Sequence, residues 1–103
     1  MKEICTSGVF MNLQVIDLRD NELGDEGIGV LVEMILSGHF MSIVDIDVQH
    51  NSITDLGFKK VVDVLKSLQV TKCPLLQRFH LENNLISGTA RRKNAPYPAY
   101  FSL

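Results

Sequence analysis

The sequence has only two cysteines, three prolines and a net charge of −2. Two thiols as far apart as Cys5 and Cys73 supply neither a disulfide framework nor a zinc ligand set. They read instead as small buried side chains of a reducing compartment. A charge this near zero, with a pI of about 5.8, sets up no long-range field to attract nucleic acid or a membrane surface. No apolar run approaches the roughly 18 residues that suggest a membrane span. The opening residues MKEICTSGVFMNL lack the continuous apolar stretch of a secretory leader, and no asparagine stands in an N-x-Ser/Thr acceptor context. The expectation is therefore a protein of the cytosol or nucleus, with neither membrane nor nucleic acid among its partners. At 103 residues and 46% hydrophobic content the chain suits one small globular domain and is too apolar for disorder.

Its dominant feature is an eleven-residue signature that occurs three times: LQVIDLRDNEL (Leu13 to Leu23), IVDIDVQHNSI (Ile43 to Ile53) and LQRFHLENNLI (Leu76 to Ile86). Each copy has an aliphatic or aromatic residue at its first, fourth, sixth and eleventh places, and asparagine (Asn21, Asn51, Asn84) at the ninth. The copies start 30 and then 33 residues apart, which marks an internal repeat. The stretch ICTSGVFMNL aligns without a gap on MILSGHFMSI, so residues 1–12 read as the back half of one more unit. The units expected are a partial repeat over 1–12 (helix end and loop), full repeats over 13–42 and 43–75, and a terminal incomplete repeat over 76–94. A tail of proline and aromatic residues follows over 95–103.

Each signature should be a strand and the rest of each unit a helix. Ile16 and Leu18 alternate with Asp17 and Arg19, Ile46 and Val48 with Asp47 and Gln49, and Phe79 and Leu81 with His80 and Glu82. Asp25 and Asp55 then stand as helix-start signals. Apolar residues follow at helical spacing: Ile28, Leu31, Val32 and Ile35, stopped by Gly38, and Phe58, Val61, Val62, Leu65 and Leu68. Gly27 and Gly57 recur in the first helical turn, where glycine lowers helix stability, so close packing on the neighbouring unit is expected. The extra residues between Lys66 and Leu75, which include Cys73-Pro74, read as a lengthened helix-to-strand loop. SGTARRKN has room for one short helical turn. Tyr97, Tyr100, Phe101 and Leu103 either cover the open end of the core or belong to a disordered tail, the cap being the favoured reading. Asparagine at the ninth place would satisfy backbone groups of adjacent turns.

The pattern L-x-x-L-x-L-x-x-N-x-L resembles the leucine-rich repeat. Its continuation, Leu23-x-Asp25-x-Gly27 and Ile53-x-Asp55-x-Gly57, resembles the ribonuclease-inhibitor-like subclass. The third unit departs from this, with Gly88 and Ala90 where the others have Asp and Gly. The resemblance implies an α/β right-handed solenoid, with about three parallel strands on a concave face and helices on the convex one. It further implies a non-enzymatic protein-interaction module or assembly scaffold without cofactors. The alternative is a fragment of a GTPase-activating regulator of the same repeat type. With so few units, further repeats, a homo-oligomer or a larger complex would cap the open ends.

Stacking the signatures gives four columns on the concave face: Val15, Asp45, Arg78; Asp17, Asp47, His80; Arg19, Gln49, Glu82; and Asp20, His50, Asn83. These are the candidate protein-binding residues. Asp17 and Asp47 should be neighbours at ~4.8 Å. They would repel by about 1 kcal/mol in water-like dielectric and by roughly 3 at an effective dielectric near 20. A basic residue of a partner would relieve that repulsion. The trio Asp17, Asp47 and His80 suits a divalent ion by ligand type, but column spacing spreads it over ~10 Å, too wide for one ion. No serine is placed beside a histidine, and neither cysteine falls on this face, so no nucleophile is expected there.

Overall fold

A computed structural model describes residues 12–103. Cys5, the half-unit expected over 1–12 (Asn12 apart) and the side chain of Leu68 lie outside the described residues. Each signature begins with a three-residue strand: β1 (Val15–Asp17), β2 (Asp45–Asp47) and β3 (Arg78–His80). These pair in parallel with Ile16 opposite Ile46, and Ile46 opposite Phe79. The three expected strands therefore lie in the register that the signature alignment requires, at any length of intervening chain.

Helices α1 (Gly24–Leu36), α2 (Asp55–Lys72) and α3 (Gly88–Lys93) alternate with the strands. Their apolar stripes face the sheet. Ile28, Leu31 and Ile35 of α1, and Phe58, Val61, Val62 and Leu65 of α2, are buried with Ile46, Val48, Phe79 and Leu81. The result is a two-layer α/β structure with a single core. Helix α1 stops where glycine permits it, since Gly38 takes φ +77° immediately after the cap residue Ser37.

Three local expectations are corrected. The extra residues of the second unit do not form a long loop, because α2 runs on to Lys72 and stops at Cys73, just before Pro74. The residue before a proline is disfavoured in helical conformation, which sets the stop there and not at Lys66. Asp25 is not an N-cap, because α1 begins one residue earlier at Gly24; Asp55 is itself the first residue of α2. Both carboxylates serve the next unit instead. Asp25 accepts from the Thr54 backbone N–H at 2.8 Å and from the Thr54 hydroxyl. Asp55 accepts from the Ser87 N–H at 2.7 Å and its hydroxyl at 2.8 Å. These donors hold the Asp55 carboxyl below the usual carboxylate range. Placement in the first turn also sets each charge against the positive helix end.

The third correction concerns the C-terminal residues, which add a fourth parallel strand, β4 (Phe101–Ser102), beside β3. Phe79 pairs with Phe101 and His80 with Ser102. Pro98, Phe101 and Leu103 thus fall at the first, fourth and sixth places of one more signature. Phe101 is buried and packs on Phe79, Phe58, Tyr97 and Tyr100, with ring centroids 5.4 to 6.3 Å apart. This aromatic layer closes the sheet end beyond β3 and supplies contact area that a six-residue α3 cannot. Cys73 is buried in the same core, and loss of solvation pushes its thiol up to about 11. A thiol so placed stays protonated near neutral pH and is inert as a nucleophile.

The asparagines tie the layers together. The Asn51 side chain is fully buried; its Oδ1 accepts from the N–H groups of Asn21 (2.9 Å) and Leu23 (3.2 Å). Its Nδ2 donates to the carbonyls of Leu18, Val48 and Gln49 at 2.8 to 3.0 Å. Asn84 repeats the arrangement one unit on, accepting from Asn51 and Ile53 and donating to Val48, Leu81 and Glu82. Asn51 and Asn84 therefore each satisfy backbone groups of their own turn and of the turn before it. Among the described residues the Asn21 side chain bonds only the Arg19 carbonyl of its own turn. Gly57 fits the same joint, because a Cβ there would collide with the Asp25 carboxylate and stand 2.9 Å from the Cγ2 atoms of Ile28 and Ile53. Gly27 differs: its Cβ would meet Leu23 of its own unit at 2.7 Å.

Candidate functional site

In a strand, successive side chains point to opposite faces. Ile16, Ile46 and Phe79 take the inner face of the sheet, which leaves the flanking polar residues on the outer one. Strand pairing sets Val15 opposite Asp45 and Asp45 opposite Arg78, and likewise Asp17, Asp47 and His80. Ser102 extends the second of these columns through its pairing with His80. This corrects the expectation that no serine stands beside a histidine on this face, and Ser102 was not among the expected site residues. The only signal for it was the pattern Pro98-x-x-Phe101-x-Leu103, which covers the first six places of a signature and opens on a proline.

The face is cross-linked by its own charges. Arg19 folds back on Asp17 with Nε and Nη2 donating at 2.9 and 2.8 Å, and its Nε stands 3.6 Å from Asp47 Oδ2. This guanidinium holds the Asp17 carboxyl below its ordinary range. The cation that relieves the Asp17–Asp47 repulsion is therefore internal, and the place where a partner's basic residue was expected to dock is taken. Asp47 is further held by Gln49, whose backbone and side-chain amides donate to it at 3.1 and 3.0 Å. One rung on, Arg78 donates to Asp45 at 2.8 Å and His80 Nε2 lies 3.2 Å from the same carboxylate. His80 thus reaches diagonally to Asp45 and not along its own column.

The third column shows a regular device with one break. Arg19 closes on Asp17 and Gln49 on Asp47, two residues back in each case. Glu82 stays 3.9 Å from His80 Nδ1, and its Oε1 is buried with no hydrogen-bond partner. Glu82 thus carries negative charge that no guanidinium neutralises, whereas Asp20 lies within the field of Arg19 and meets His50.

The fourth column lies in left-handed backbone: Asp20, His50 and Asn83 have φ of 59°, 56° and 60°. Asp, His and Asn are among the few non-glycine residues that enter this region readily, so residue type here answers first to the backbone. The conformation carries the chain off the sheet and turns the side chains outward, where His50 Nδ1 meets Asp20 Oδ1 at 2.5 Å. Between these turns runs an open groove of about 530 Å³, lined by Arg19, Asp20, Gln49, His50, Asn83 and Asn84. The structure thus brings the third and fourth columns, Glu82 apart, together around one concavity, and adds Asn84. Val15 stands at the far edge, 58% exposed, and Arg78 and Asp45 form a separate pair beside it.

Among the described residues no three His, Cys, Asp or Glu side chains gather in a way that could hold a metal ion. No described helix is long and apolar enough to cross a membrane. What the surface offers chemically is a set of fixed hydrogen-bond donors, acceptors and charges on a rigid sheet. A family model described as the Leucine Rich repeat matches residues 11–32. This identifies a leucine-rich repeat in the first unit, a motif that commonly mediates protein–protein interaction. The chain matches no curated protein.

Proposed function

We propose that this chain is a non-enzymatic protein-interaction module, built as a right-handed solenoid of ribonuclease-inhibitor-like repeats and docking its partner on the concave sheet face. The observation that carries the reading is the groove lined by Arg19, Asp20, Gln49, His50, Asn83 and Asn84, set beside a face whose carboxylates outnumber its guanidiniums. Asp17, Asp20, Asp45, Asp47 and Glu82 stand there against Arg19 and Arg78. Electrostatic complementarity sets specificity and association rate more than affinity, so a partner presenting Lys or Arg suits this face. Candidate contacts are the four columns, with Glu82 as the principal anchor for a cation. The module acts in the cytosol or nucleus, within a larger array or complex. No observation favours the GTPase-activating alternative.

The test is affinity capture from source-cell lysate at ~1 M and ~0.1 M salt, where screening lengths are ~3 and ~10 Å. Wild type is compared with a sheet-face swap (Asp17→Lys, Asp47→Lys, Glu82→Lys), with circular dichroism confirming that both fold. A prey that binds wild type at low salt and is lost from the swap supports the reading. Prey recovered equally by both proteins would place the interaction elsewhere.

A further inference from the structure

The outer faces of the two layers differ in charge. On the helical layer Lys59 pairs with Asp63 at 2.7 Å. Lys60, Lys66, Arg91, Arg92 and Lys93 have no carboxylate partner among the described residues. All five are exposed, on α2 and in the last turn of α3, and Arg92 bonds only the Thr89 hydroxyl, at 3.4 Å. The opposite side of the molecule is the sheet face, with five carboxylates against two guanidiniums. One chain of net charge −2 therefore carries an acidic front, the sheet face, and a basic back, the α2–α3 surface, separated by the core. Helix α1, with exposed Glu26 and Glu33, stays acidic.

We propose that the basic contact suited to the sheet face is the α2–α3 surface of a second copy of this chain. This rests on the reading of the sheet face as a docking surface. The argument for a second copy is charge complementarity within one sequence. The dimensions agree as well. Four strands at ~4.8 Å span ~14 Å, and a six-residue helix is ~9 Å long at ~1.5 Å per residue. One copy's α3 is thus short enough to lie across the sheet of another, bringing its basic last turn to Glu82. Because front and back lie on opposite sides, a copy cannot satisfy both with the same neighbour. The contact is heterologous and open-ended, so copies add front to back in place of closing as a symmetric pair.

Sedimentation velocity over two decades of concentration tests this. At ~0.1 M salt, where the screening length is ~10 Å, the weight-average mass should climb continuously past that of a dimer. At ~1 M salt, with screening at ~3 Å, it should return to the 11.6 kDa monomer. The sheet-face swap (Asp17→Lys, Asp47→Lys, Glu82→Lys) and a helix swap (Arg91→Glu, Arg92→Glu, Lys93→Glu) should each be monomeric alone. Mixed together they should associate again, because each then meets its opposite on the other. If the sheet-face swap does not fold, the helix swap decides the matter alone, as its positions are all exposed. A chain that is monomeric at low salt, an assembly that stops at two copies, or association left intact by the helix swap would each overturn the proposal. A monomeric chain would leave the lysate test of the sheet face standing, so the two readings fail separately.

Discussion

Replacing Asn51 by alanine should remove more stability than any other single polar substitution in the repeat. The side chain is fully buried and makes five hydrogen bonds to backbone groups. Alanine leaves the N–H groups of Asn21 and Leu23 and the carbonyls of Leu18, Val48 and Gln49 without that partner. Asn21 is exposed and water replaces the loss there. The buried Val48 carbonyl keeps its 3.1 Å bond from Asn84 Nδ2, so the loss falls on the half-buried Leu18 carbonyl and Leu23 N–H. A buried polar group left unpaired costs about 1–3 kcal/mol. With roughly two groups left dry, the expected loss is about 3–4 kcal/mol, most of the ~5 kcal/mol that ~0.05 kcal/mol per residue allows a domain this size. At a urea sensitivity of ~1–3 kcal/mol per molar, the midpoint should fall by ~2 M. The control is Asn21→Ala. That amide donates one 2.8 Å bond, to the Arg19 carbonyl on an exposed turn, and its loss should cost about 0.5 kcal/mol. Urea titrations followed by far-ultraviolet circular dichroism give both numbers. Equal losses for the two substitutions would refute the claim that the buried amide ladder, not the asparagine turn itself, holds the units together.

Gly57→Ala should cost about 2–3 kcal/mol, since its Cβ would collide with Asp25 and crowd Ile28 and Ile53. Gly29→Ala in α1, whose Cβ would meet only Lys60 Nζ at 3.8 Å, should instead stabilise by ~0.5–1 kcal/mol; thermal melts of both variants check the contrast. The Asp55–Ser87 clamp makes stability depend on acid. Because the folded pKa of Asp55 is lowered, the clamp contributes fully above the unfolded value of ~3.9 and is lost as pH falls through the folded one. Ser87→Ala should therefore lose less of its urea midpoint than wild type between pH ~5 and ~2. The backbone N–H of residue 87, the larger cause, survives the substitution. Parallel curves for the two proteins would therefore show only that the hydroxyl contributes nothing to the shift.

The sequence was most informative where one residue type answers to one physical demand. Ile16, Ile46 and Phe79 had to alternate inward, and pairing sets them opposite one another. Asn51 and Asn84 had to satisfy turns, and they do. Asp25 and Asp55 were misread because carboxylates near a helix start fit a cap and an inter-unit clamp equally well in sequence; only the position of Thr54 and Ser87 in space separates the two. The α2 extension was hidden because Val70 and Thr71 are weak helix formers, overridden here by the tertiary setting. The fourth strand was hidden because its signature starts on Pro98 and shows only its first six places. On the candidate face, the columns followed from register, but which carboxylates remain unneutralised did not. Arg19 turning back to Asp17, while Glu82 fails to reach His80, is a matter of side-chain length and rotamer.

The intervals between paired strand residues are uneven: Ile16 to Ile46 is 30 residues, Ile46 to Phe79 is 33 and Phe79 to Phe101 is 22. Yet the sheet stays in phase throughout. The strands keep time, while the helical return path absorbs every change in chain length. Insertions and deletions on the helical side can therefore accumulate without rotating any polar column out of line. The surface chemistry of the sheet is free to evolve, or to be redesigned, one position at a time on a scaffold whose back can vary in length independently.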